Sequence, residues 1–234
     1  MRVLAIGDIH GCLGILDDLL AWVNPTRADD LILLGDYVDR GPDSRGVINR
    51  LIELKQKRPV VCLRGNHEIM MLAARFGDRS DRKQWLGVGG VQALGSYGPA
   101  MGVSGTLDDI PDGHWDFLND ELVPYHETDR FIFVHAGVYA DTPMDEQPDN
   151  MLYWEFFPEA MRHESGKTVI CGHSSQRSGV PEVIPGAVCI DTCAFSGGWL
   201  TCLDAISGRY WQVDVLGRKR EGRVDYEEGE QEEV

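Results

Sequence analysis

Apolar residues along the first 75 positions alternate between two patterns. Short runs of aliphatic side chains, Val3 to Ile6, Leu31 to Leu34 and Val60 to Leu63, predict buried strands. Between the first two, Leu13, Leu16, Leu19, Leu20 and Val23 recur near one face of a helix over 13–23. A second amphipathic run covers Ser44 to Lys57 and stops ahead of Pro59. Three β-then-α units therefore occupy this region, which argues for an α/β fold with a parallel sheet carrying helices. Ligands of such sheets gather at the carboxyl ends of the strands.

From Phe76 to Glu127 the periodicity weakens, and Gly87, Gly89, Gly90, Gly95, Gly98, Gly102 and Gly105 separate short amphipathic pieces such as His114 to Leu122. A mostly helical insert over the site is expected for 76–127. The remainder predicts strands at Arg130 to Val134, Thr168 to Cys171, Ala187 to Ile190, Trp199 to Leu203 and Tyr210 to Val215. Gly-bearing turns join the last three, which fits an antiparallel second sheet.

A chain of 234 residues is ordinary for one well-buried domain. That domain is expected over 1–217, followed by an acidic, flexible tail over 218–234, because Asp225 to Val234 carries six acidic residues and almost nothing apolar. The net charge of −16 argues against nucleic acid or an anionic membrane as partner, since both need a basic footprint. Six cysteines form no Cys-x-x-Cys pair and are read as reduced core thiols. Neither a signal peptide nor an apolar run of about 18 residues is visible, so the cytoplasm is the expected compartment.

Five short polar blocks follow the predicted strands: Gly-Asp-Ile-His-Gly (7–11), Gly-Asp-Tyr-Val-Asp-Arg-Gly (35–41), Leu-Arg-Gly-Asn-His-Glu (63–68), His-Ala-Gly (135–137) and Gly-His (172–173). In an extended Asp-x-His the two side chains point the same way, so Asp8 and His10 can grip one ion together. Asp36 can bridge two ions, with Asn66, His135 and His173 completing the second. Carboxylate, imidazole and amide ligands without thiolate suit two divalent ions of the Mn, Fe, Zn or Mg kind more than a thiolate-bound metal. A pair about 3.5 to 4 Å apart can share and acidify a bridging water, aim it at phosphorus and neutralise phosphate charge. By contrast His114, His126 and His163 lie in polar stretches and are expected at the surface, and the six tryptophans are read as core or rim packing.

With GDIHG, GDYVDRG and LRGNHE intact, the chain resembles the phosphoprotein phosphatase branch of the calcineurin-like metallophosphoesterases, especially the small bacterial and phage serine/threonine phosphatases, over residues 1 to about 215. The resemblance implies a β-sandwich of two mixed sheets flanked by helices. It implies Asp8, His10 and Asp36 on one metal, and Asp36, Asn66, His135 and His173 on the other. His67 is implied as general acid, oriented by Asp39. Arg40 is implied as a phosphate-binding arginine, Arg64 and Asn66 as further phosphate contacts, and Arg162 or Arg177 as the second clamp, because Trp154 is followed by Glu155 rather than arginine. The expected reaction is hydrolysis of phosphomonoesters, foremost phosphoserine and phosphothreonine in proteins, or else of small phosphoesters. The alternative is symmetrical dinucleoside tetraphosphate hydrolysis, whose enzymes carry Gly-Asn-His-Asp and lack the Asp-Arg pairing; Glu68 and Asp39-Arg40 count for the protein phosphatases. The non-enzyme alternative is a scaffold that keeps the fold without the chemistry.

Overall fold

A computed structural model describes residues 1–100, 102–158 and 161–226. Strands β1 (Val3–Ile6), β2 (Asp30–Leu33) and β3 (Val61–Cys62) pair in parallel, as the β-then-α alternation requires, with α1 (Leu13–Val23) and α2 (Ser44–Lys57) as crossovers. Helix α3 (Asn66–Phe76) follows, then α4 (Arg79–Trp85), α5 (Val91–Ser96) and α6 (Asp112–Asp120). The chain continues through β4 (Tyr125–Glu127), β5 (Phe131–Val134), α7 (Asp149–Trp154), β6 (Thr168–Cys171), β7 (Glu182–Ile184) and β8 (Ala187–Cys189). It ends its described course in β9 (Trp199–Asp204), β10 (Arg209–Asp214) and β11 (Lys219–Arg223).

Two mixed sheets result, ordered β11-β10-β9-β1-β2-β3 and β4-β5-β6-β8-β7. Strand alternation explains how they stack. Val3 and Ala5 of β1, with Ile32 and Leu34, meet Phe131, Phe133, Ile170 and Val188 between the sheets. Leu4, Ile6, Leu31 and Leu33 face the other way, under Leu16, Leu19 and Leu20 of α1 and Val47, Ile48 and Leu51 of α2. The outer face of the second sheet, with Ile132, Val134, Val169 and Cys171, is covered by Leu152 and Tyr153 of α7. Strands buried on both faces are what make these runs read as continuously apolar. All six cysteines are free and buried, and no described helix is long and apolar enough to cross a membrane.

Four expectations need correction. The strands over 187–190, 199–203 and 210–215 do not form one antiparallel sheet: β8 lies parallel to β6 in the second sheet, while β9 and β10 extend the first sheet from β1. The tail does not begin at 218, because Lys219–Arg223 pairs antiparallel with β10 and Val224 is buried between the sheets; residues 227–234 of the expected tail lie outside the described residues. The insert over 76–127 is mostly helical, yet it buttresses the site from behind, with Trp85 wholly buried against Asp39. His114 and His163 are buried rather than superficial, because each ring nitrogen finds a partner: Tyr97 and Asn49 for His114, Ser165 and the Thr142 carbonyl for His163.

Val224→Ala should therefore cost about 1.5–3 kcal/mol, the loss of two buried methyl groups plus an incompletely closed cavity. Urea denaturation reads this directly; an unchanged midpoint would mean that the chain beyond Gly217 is not part of the folded unit.

Candidate active site

All five polar blocks begin where strands end, and they converge on one edge of the sandwich. The 7–11 loop leaves β1, the 35–41 loop follows β2, 63–68 leads from β3 into α3, and His135 and His173 follow β5 and β6. Their approach is close enough that a Cβ on Gly41 would strike the His10 carbonyl, and one on Gly65 would strike Asp36. That explains glycine at both positions. His10, Asp36, Asp39, Arg40, His173 and Cys193 all adopt left-handed backbone conformations, with φ between 44° and 71°. Such conformations cost about 1–3 kcal/mol each and persist only where surrounding structure imposes them, so their concentration along this edge marks it as functional.

Asp36 stands at the centre. Its Oδ2 is 3.4 Å from His10 Nε2 and its Oδ1 is 3.4 Å from His135 Nε2. Two potential metal-ligand groups share it, His10–Asp36–His67 and Asp36–His135–His173. Backbone carbonyls set the tautomers. His10 Nδ1 donates to the Val38 carbonyl and His135 Nδ1 to the Leu34 carbonyl, both at 2.9 Å, so each Nε2 is turned to the cleft as an acceptor, that of His10 toward the Arg40 guanidinium at 2.8 Å. His173 is locked the opposite way, its Nε2 donating to the Trp154 carbonyl at 3.2 Å and its Nδ1 left free. Burial pushes His10 down to about 3 and His173 to about 4, which keeps both rings neutral.

This donor set fits divalent metal. His135 Nε2 faces the Oδ1 atoms of Asn66 (3.3 Å) and Asp36 (3.4 Å), and of these the Asp36 oxygen also accepts from the His67 backbone N–H at 3.1 Å. A convergence of nitrogen and oxygen acceptors in a buried site suits a bound cation. Burial and the charges of Asp191 and Asp36 raise the carboxyl of Asp8 well above the usual range, a second sign of negative charge awaiting compensation. The lone pairs are oriented by partners outside the cluster, the arrangement that supports ligating histidines.

Two buried devices hold the loops. Glu68, wholly buried, accepts from the backbone N–H groups of Asp36 and Gly65 (2.9 Å each), Tyr37 (2.8 Å) and Val38 (3.2 Å). It staples the Asp36 loop to the start of α3. His67 Nδ1 lies 2.7 Å from Asp39 Oδ2, and Trp85 Nε1 donates to both Asp39 oxygens at 2.9 and 3.0 Å. Burial alone would lower the His67 imidazole, but the Asp36 charge and the hydrogen-bonded Asp39 outweigh it and raise its pKa.

Not every expected residue arrives. Asp8 sits beside the cluster, its carboxylate accepting from the His173 backbone N–H at 3.2 and 3.1 Å, and it is not within ligand distance of both His10 and Asp36. Arg40 lines the cleft with its guanidinium 2.8 Å from His10 Nε2, and Arg177 lines it too. Arg64 points away, because its guanidinium caps the Leu118 and Asn119 carbonyls at the end of α6. Arg162 is exposed near the starts of β5 and β6, where it lines a separate cavity with Phe131 and Thr168. Neither guanidinium lines the cleft at Asp36; of the two clamp candidates, Arg177 is the one that does.

Sequence reasoning missed Asp191 and Trp85. Asp191 is buried, accepts from Ser175 Oγ (2.6 Å) and the Cys193 N–H (2.9 Å), and ties the loop after β6 to the loop after β8. Its signal was available, an aspartate directly after an apolar strand, as at Asp8. Trp85 had no such signal, since nothing in its local spacing points to Asp39.

The strand order, the metal-suited cluster and a match of residues 1–198 to the calcineurin-like phosphoesterase family model place the chain in that family. It is 43% identical over 145 residues to a symmetrical bis(5'-nucleosyl)-tetraphosphatase of Pseudomonas putida, covering 59% of this chain and 43% of that protein. The chain spans under half the length of the curated relatives it matches. In three dimensions it resembles a solved chain provisionally described as a diadenosine tetraphosphatase (TM-score 0.65, 21% identity, 95% of this chain and 93% of that one). It also resembles a protein serine/threonine phosphatase of Saccharomyces cerevisiae (TM-score 0.58, 12% identity, 96% and 80%). These structural likenesses establish the shared sandwich.

Glu68→Gln should destabilise the fold by roughly 2–4 kcal/mol, because an amide nitrogen would face two backbone donors in a dry site. Divalent-ion affinity, read by calorimetry, should fall with it as the Asp36 loop loosens. Unaltered stability and affinity would show that the four hydrogen bonds are incidental.

Proposed function

We propose that the chain hydrolyses phosphoanhydride bonds in dinucleoside polyphosphates at a two-metal centre. The observation that carries the chemistry is the convergence of the His10, His135, His173 and Asn66 acceptor atoms on Asp36. Metal hydrolysis of phosphoesters is the family's chemistry. The choice of substrate is supported by the relatives named as symmetrical tetraphosphatases. Glu68 does not count against this reading, since its side chain lies beneath the loops and never meets a substrate.

In this proposal His10 and Asp36, with Asp8 beside the cluster, would hold one ion, and Asp36, Asn66, His135 and His173 would hold the other. When bound, the two ions supply an acidified water and charge neutralisation at phosphorus. Arg40, at the cleft wall, binds a phosphate oxygen, and Arg177 provides the second cationic contact at the rim. His67, protonated and fixed by Asp39, delivers a proton to the departing oxygen as charge builds there. Asp39 in turn is held by the indole N–H of Trp85.

A second reading, a phosphoserine or phosphothreonine phosphatase, is favoured by that same His67–Asp39 pair. A serine alkoxide is a far more basic leaving group than a nucleoside diphosphate and depends more on a positioned acid. One experiment separates the two: kcat/KM with added Mn for diadenosine tetraphosphate, a phosphoserine peptide and an aryl phosphate, in the wild type and in His67→Asn. The tetraphosphate should be preferred over the peptide by about tenfold or more. His67→Asn should slow the peptide by about 10²- to 10⁴-fold and the anhydride distinctly less. Preference for the phosphopeptide would overturn the anhydride reading in favour of the second.

A further inference from the structure

Phe156 is a large apolar side chain that remains 73% exposed, directly beyond α7 and on the wall of the catalytic cleft. Its ring lies 5.7 Å from that of His173, tilted by 31°, so it stands over the Asp36–His135–His173 half of the cluster. The other half is walled differently. Phe195 meets the His10 ring edge-on at 5.0 Å, and the Arg40 guanidinium covers it with Cζ 4.6 Å from the ring centroid. One aromatic side chain at the cleft thus braces a phosphate-binding arginine, while the other presents an open face to solvent.

We infer that Phe156 is a nucleobase platform, stacking the base of the nucleoside whose phosphates lie against Asp36 and His173. This assignment rests on the anhydride reading above and adds to it the residue that tells a nucleotide from other phosphate compounds. The metal cluster and Arg40 recognise phosphate alone, so they accept any phosphate ester or anhydride that fits. A flat apolar ring beside the phosphates favours substrates carrying a π-face at that distance. Phe156 also has little structural work, since its exposure leaves few packing contacts to lose. The backbone beside it is fixed independently, through the His173 Nε2 bond to the Trp154 carbonyl and the Phe157 N–H bond to Ser174 Oγ at 2.7 Å.

The test compares Phe156→Ala and Phe156→Trp with the wild type on three substrates: diadenosine tetraphosphate, inorganic tripolyphosphate as a base-free anhydride, and a phosphoserine peptide. Loss of a stacking face typically costs about 5- to 100-fold per base. Phe156→Ala should lower the ratio of kcat/KM for diadenosine tetraphosphate over tripolyphosphate by about that factor, chiefly through KM, and Phe156→Trp should restore it. An unchanged ratio in Phe156→Ala, with the wild type cleaving diadenosine tetraphosphate well, would overturn the platform and leave the anhydride reading standing. An equal loss on the phosphopeptide would also overturn it, showing Phe156 to be a general wall of the cleft. A wild type that cleaves tripolyphosphate or phosphopeptide but not diadenosine tetraphosphate would overturn both.

Discussion

A carboxylate sealed under the loops governs the catalytic edge: Glu68 accepts four backbone N–H groups and is wholly excluded from water. Burial and the Asp36 charge push the Glu68 carboxyl up to about 7, and the hydrogen bonds that favour its ionised form come from the segment that must be held. Asp36, Asp39 and Arg40 all sit in left-handed backbone conformations that the chain would leave if released. The staple binds the start of that strained turn, and the insert binds its end. Arg40 N–H donates to the Gly89 carbonyl at 3.3 Å, and Trp85 grips Asp39. Strain is thereby distributed between two supports that lie outside the cleft, leaving the ligand atoms free to face inward.

The proposed polyphosphate substrate and the net charge of −16 are compatible on physical grounds. At physiological ionic strength, charges more than about 8 Å from the cleft are largely screened. What matters is the field inside it, where Arg40, Arg177 and the expected metal ions face buried aspartates. On the proposed function, the same two ions would meet both the demand for cations created by Asp8, Asp36 and Asp191 and the demand of a phosphate chain for positive charge.

Much of this edge was legible in advance. The spans of α1 and α2 follow directly from their helical stripes and stops, and every expected strand exists, because strands buried on both faces announce themselves as apolar runs. What failed has a common cause. Lys219, Arg220, Glu221 and Arg223 give β11 no apolar period, since an edge strand half open to water can carry charge on either face. Sheet membership was equally hidden. Whether β9 joins β1 or β8 is decided by contacts some 200 residues apart, such as Leu4 with Asp204. Block order and residue type were enough to bring Asp36, His10, His67, Asn66, His135 and His173 together. They were not enough to aim Arg64 and Arg162, whose positions depend on which surface each side chain leaves from, nor to reveal that Glu68 serves the backbone and not the substrate.

The proposed function requires that Asp36 serve both divalent ions. Anomalous diffraction from a crystal grown with Mn tests it most directly. Two peaks about 3.5 to 4 Å apart on either side of the Asp36 carboxylate, one toward His10 and one toward His135 and His173, are the expected result. A single peak, or two that do not share Asp36, would contradict it.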